Sequence, residues 1–97
     1  MLIHLTLIGK PGCHLCEDAD GVVAEVVREF EQAHATDDIR VEIEQLNILE
    51  DASLALKYSE EIPVLQINGR THSYWRIEPV RFRAALEKLA TESSEGN

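Results

Sequence analysis

Positive charge is in short supply in this chain: nine Lys and Arg stand against 18 Asp and Glu, for a formal net charge of −9. That balance repels phosphate backbones, so nucleic acid is excluded as an expected partner. Long apolar runs are missing as well. The opening stretch from Met1 to Ile8 is interrupted by His4 and Thr6, and nothing approaches the ~18–20 apolar residues that a bilayer-spanning helix needs. No membrane partner is expected. The opening stretch is followed by no small-residue cleavage pattern, which points to a cytoplasmic rather than a secreted protein. Cysteine is limited to two residues. Two are too few for a disulfide-stapled scaffold or an all-cysteine zinc site, and in the cytoplasm such a pair signals redox or metal chemistry. Internal repeats and linkers are absent too.

What is present suits one globular domain. The 97 residues are 44% apolar, and a chain of this size buries ~60–65% of its unfolded surface, enough for one core. Leu2 to Ile8 is an apolar run rich in strand formers, and it breaks at Gly9-Lys10-Pro11-Gly12. From Cys13 to His34, Ala19, Val22, Val23, Val26, Val27 and Phe30 recur at helical offsets, which gives a helix one apolar stripe. Gly21 interrupts that helix at a cost of about 1 kcal/mol relative to Ala, which close backbone packing would explain. Ile39, Val41 and Ile43 alternate with Arg40, Glu42 and Glu44 as in a strand with one polar face.

Asp51 can cap a short helix carrying Leu54, Ala55 and Tyr58. Ile62 to Ile67 reads as a strand, Asn68-Gly69 as a two-residue hairpin turn, and Arg70 to Tyr74 as the returning strand. Pro79 opens a last helix whose stripe is Phe82, Ala85, Leu86 and Leu89. Residues 91–97 are a polar, frayed tail. The predicted order is βαβαββα. A helix crossover makes the first two strands parallel and the hairpin adds an antiparallel edge, so helices flank a four-stranded mixed sheet. The expected fold class is α/β.

Chemistry concentrates at Cys13-His14-Leu15-Cys16, where the first strand hands over to the first helix. Residues three apart on a helix share a face, so the two sulfurs can meet. The first turn of a helix offers unpaired N–H groups and partial positive charge, both of which favour a thiolate. Cys13, nearer the tip, is the candidate nucleophile, and Cys16 the residue that resolves a mixed disulfide. Lys10 adds positive charge three residues upstream, whereas Glu17 and Asp18 oppose it. Ile62-Pro63 is a candidate cis bond, because a proline entering a strand lacks the N–H that a ladder uses. The end of the last strand returns beside Pro63, so Arg76 is a candidate partner for a substrate carboxylate.

Lys-Pro-Gly-Cys-His-Leu-Cys at a helix start, followed by Ile-Pro-Val before an Asn-Gly hairpin, resembles the glutaredoxin branch of the thioredoxin superfamily, in particular its small glutaredoxin-like proteins. The resemblance covers residues 1–90, the expected domain, and implies a thioredoxin fold. It implies a cis Pro63 facing the dithiol, a backbone at Ile62 that pairs with substrate, and a Lys10 placed where glutaredoxins contact glutathione. The implied activity is dithiol–disulfide oxidoreduction on a protein or low-molecular-weight disulfide, with electrons supplied by glutathione or a flavin-dependent reductase. His-Leu replaces the Pro-Tyr usual between glutaredoxin cysteines, and Ser73-Tyr74-Trp75-Arg76 replaces their glutathione-gripping Gly-Gly and Asp. Glutathione is therefore expected as a co-substrate at most, and no bound cofactor is expected.

Two other classes stay open at this level. Cys13, His14 and Cys16 offer soft metal ligands that His4 or His72 would have to complete, and an iron–sulfur cluster shared between chains is a further form of the same idea. A thioredoxin-fold adaptor without turnover is the other. Outside the motif, His4 and His72 read as strand residues with ordinary partners. His34 reads as solvent-facing near a helix end, Trp75 as core or rim, and Tyr58 as core.

Overall fold

A computed structural model describes residues 1–95. Four strands, β1 (Leu2–Gly9), β2 (Arg40–Asn47), β3 (Val64–Ile67) and β4 (Arg70–Tyr74), form one sheet in the order β2-β1-β3-β4. β1 runs parallel to β2 and antiparallel to β3, and β3 and β4 form the antiparallel hairpin. Among the described residues there are three α-helices: α1 (His14–Ala33), α2 (Ala52–Tyr58) and α3 (Pro79–Glu95). This is the predicted order, a thioredoxin fold of the α/β class.

Alternation along β1 builds both layers. Ile3, Leu5 and Leu7 point to one face, where α1 supplies Val23 and Phe30 and α3 supplies Phe82 and Leu86. Burying each phenylalanine contributes about 1.5–3 kcal/mol before the entropy of ordering it. Ile8 points the other way, into a smaller cluster with Ile48, Tyr58, Ile62, Val64 and, from the tip of α1, Cys16. Cys13 packs against this smaller cluster as well, so the dithiol stands beside it at the tip of α1.

Several boundaries differ from the sequence expectation. Helix α1 starts at His14, with Cys13 as its cap. Strand β2 runs on to Asn47, whose side chain accepts the Leu49 N–H and starts a 3-10 turn over Ile48–Glu50. Strand β3 begins at Val64, after the proline rather than before it. The β3–β4 register slips between Leu65 and Gln66, so the hairpin carries an irregularity. The polar segment after residue 90 continues α3 as far as Glu95, and residues 96–97 lie outside the described residues.

One side-chain expectation is corrected, and one reading that the sequence left open is decided. His34 is not solvent-facing: its ring is 18% exposed, with Nδ1 2.6 Å from Asp37 and Nε2 2.7 Å from Glu87 on α3. Close packing does not explain Gly21, because a Cβ there would meet nothing within 4 Å. Tyr58 is buried as expected. Among the described residues, no helix is long and apolar enough to cross a membrane.

Candidate active site

The β1–α1 turn carries the motif. Gly12 adopts φ +75, a left-handed conformation that favours glycine, and delivers the chain to Cys13. Cys13 then caps α1 from an extended backbone (φ −103, ψ 115), and its Sγ accepts the Cys16 N–H at 3.2 Å. A sulfur occupies the place where Ser or Asp usually satisfies a free N–H of the first turn. The Cys13 sulfur of this half-buried residue therefore meets an N–H donor at the positive end of the helix.

Cys16, one turn deeper, is 8% exposed. Burial above all pushes its thiol up to about 11, with a hydrogen bond to Cys13 and the nearby charge of Asp20 acting in the same direction. Contact with the Lys10 backbone works against them. The two cysteines therefore differ: Cys13 is half-buried at the helix cap, and Cys16 is buried and held back as a thiol.

Pro63 lines the site from the residue just ahead of β3. The Ile62–Pro63 peptide is cis. Ile62 is buried in the same cluster as Cys16. The Pro63 carbonyl accepts the backbone N–H of Trp75 at 2.8 Å, and the Trp75 indole Nε1 donates to the Glu60 carbonyl at 2.9 Å. Trp75 does this from φ +62, an unusual backbone state for a bulky side chain. It is a rim residue that ties the loop before β3 to the end of β4.

A cavity of about 370 Å³ lies beside the dithiol under the β1–α1 turn, lined in part by Lys10, Cys16, Glu17, Asp20, Glu50 and Pro63. Burial and neighbouring Glu17 push the Asp20 carboxyl up, and Gln45 Nε2 donates to it at 3.1 Å. The structure thus gathers Cys13, Cys16, Lys10, Ile62 and Pro63 at one end of the sheet. Arg76 follows Trp75 as an exposed residue outside the cavity lining, with no ion pair among the described residues. His14 stands in solvent, 99% exposed, with Nδ1 3.7 Å from Glu17. Among the described residues, no three His, Cys, Asp or Glu come together to hold a metal ion.

Two contacts around the site escaped the sequence reading. Gly9 packs directly against Cys16, yet in sequence it looks like one more residue of a glycine-proline break. Trp75 gave no sign that it anchors Pro63, because that bond depends on the β3–β4 register.

A four-stranded sheet of this order, with a Cys-x-x-Cys at the tip of its first helix and a cis proline ahead of its third strand, defines a thioredoxin-fold protein. A family model described as Glutaredoxin-like domain (DUF836) matches residues 4–87, and the chain belongs to that family. Uncharacterized protein Rv0508 of Mycobacterium tuberculosis is 26% identical over 85 residues, covering 88% of this chain and 84% of the relative. The X-ray structure of target protein XcR50 from X. campestris superposes with a TM-score of 0.66 at 28% identity, covering 87% of this chain and 96% of the other. Oxidised thioredoxin O2 of Arabidopsis thaliana has the same fold, with a TM-score of 0.57 at 18% identity, covering 91% and 75%.

Proposed function

We propose that the chain is a thiol–disulfide oxidoreductase in which Cys13 attacks a disulfide of a protein or small molecule and Cys16 resolves the product. The observation that carries this reading is the asymmetry of the pair. Cys13 sits at the helix cap with its sulfur accepting the Cys16 N–H, while Cys16 is buried behind it and held as a thiol. Thiol exchange needs one accessible sulfur and one protected sulfur within reach. Ile62 and Pro63 shape the substrate edge, and Arg76 serves a substrate carboxylate. Glutathione or a flavin-dependent reductase returns the electrons. Glu17, Asp20 and Glu50 outnumber Lys10 in the cavity, which weighs against glutathione with its two carboxylates and favours the reductase.

Alkylation tests the reading. At pH 7 a thiol with a pKa of about 11 is ionised in only about one molecule in ten thousand. Iodoacetamide should therefore label Cys13 and spare Cys16, and Cys13→Ser should abolish fast labelling. In dithiothreitol redox buffers the two cysteines should form a reversible disulfide. A midpoint near ~−270 mV marks a reductant like thioredoxin, and ~−200 to −230 mV one like glutaredoxins. Two thiols that stay free under oxidising buffer would falsify the assignment.

A further inference from the structure

Gly9 ends β1 without the left-handed backbone of Gly12 (φ +75) or Gly69 (φ +83). Nothing in its conformation requires glycine. Space does. A Cβ built on Gly9 would stand 2.9 Å from Cys16 Sγ and 3.3 Å from Cys16 Cβ. Beyond its chain neighbours, those are the only atoms it would meet within 4 Å. The demand for glycine therefore comes from one side chain, and that side chain carries the second sulfur of the proposed reaction.

The contact has a chemical consequence. Cysteine has a single side-chain torsion, and on a helix one of its three staggered positions is closed by the preceding turn. A sulfur pushed off β1 has little room to choose from. A swing wide enough to clear a methyl group would also turn Cys16 Sγ away from its present position behind the Cys13 sulfur, which stays fixed on the Cys16 N–H at 3.2 Å. Resting on the redox reading above, we propose that Gly9 is a positioning residue for the second half of the reaction: its missing side chain seats Cys16 Sγ within reach of Cys13.

In the first half, the Cys13 thiolate attacks a disulfide R–S–S–R′. A Cys13–SR bond forms, the original S–S bond breaks, and R′S⁻ leaves and takes a proton from water. In the second, Cys16 gives its proton to water and attacks Cys13 Sγ. The Cys13–Cys16 bond forms, the Cys13–SR bond breaks, and RS⁻ leaves and is protonated. Two electrons pass from the dithiol to the substrate disulfide. Gly9 acts only on the second half.

The test separates the halves with bis(2-hydroxyethyl) disulfide, a neutral probe, by following the Cys13 adduct by mass spectrometry after acid quench. In Gly9→Ala the adduct should form within about twofold of the native rate, because Cys13 has not moved. It should then persist at least about 10-fold longer, since a misplacement of about 1 Å alone can cost ~100-fold. An adduct that clears at the native rate overturns the proposal.

Thermal midpoints of the native chain, Gly9→Ala, Cys16→Ala and the double variant provide a second reading if Gly9→Ala folds poorly. Removing Sγ removes the 2.9 Å collision, so Gly9→Ala should cost far less in the Cys16→Ala background. An undiminished loss there overturns the proposal, because something other than the Cys16 sulfur then requires the glycine. Failure of the redox reading itself looks different: the native chain forms no adduct, and the resolving step falls with it.

Discussion

Ser73 lies on β4 opposite Leu65, facing α1 and α3 at 8% exposure, and its hydroxyl has no hydrogen-bond partner among the described residues. A buried, unpaired hydroxyl costs about 1–3 kcal/mol of lost solvation. Ser73→Ala removes that cost and leaves almost no hole, so urea titration should show stability rising by about 1 kcal/mol. A fall would mean that the hydroxyl has a partner. At this scale, what could be read in the sequence followed from how local each residue's role is. Cys13, Cys16 and Pro63 announce themselves by spacing and by position relative to the elements. Gly9 and Trp75 matter through contacts that close only when β1 meets α1 and β4 meets the loop before β3, so no period or spacing in the sequence signals them.

Helix α1 shows how an element can be legible in period and opaque in detail. Its stripe of Ala19, Val23, Val26, Val27 and Phe30 is buried as the offsets require. Gly21, on its exposed side, has open space where a side chain would go. Gly21→Ala should therefore stabilise the protein by about 0.5–1 kcal/mol, through lost unfolded-state freedom and better helix propensity. Differential scanning calorimetry checks it, and a lower midpoint would mean that glycine serves α1 in some other way. Strand β2 and the 3-10 turn after it were harder to read. Gln45-Leu46-Asn47 breaks the apolar alternation, and the turn is held by one Asn47 side chain accepting from Leu49, a bond with no periodic signature.

The whole molecule is tied together far from the dithiol by His34, which joins the end of α1 to Glu87 of α3 and to Asp37. Hydrogen bonds to Asp37 first and Glu87 second hold the imidazolium above its ordinary range. A raised folded value means stabilisation that is complete below the unfolded value, ~6.5, and fades as pH rises through the folded one. Burial pushes Glu87 up, yet its bonds from His34 and Arg83 outweigh burial and leave it below the ordinary value. Its contribution fades instead as pH falls through that lowered value. Urea midpoints should therefore decline as pH rises above the ordinary histidine value of ~6.5, and His34→Gln should flatten that decline. An unchanged slope in the variant would remove His34 from the account. At the other end of the sheet, Trp75 is the only tryptophan in the chain. Its amide holds the Pro63 carbonyl and its indole the Glu60 carbonyl, while the residue remains 54% exposed. Any ligand or oxidation event that shifts this loop alters the polarity around one fluorophore. Its emission wavelength moves accordingly, so the protein can be watched in real time with no dye attached.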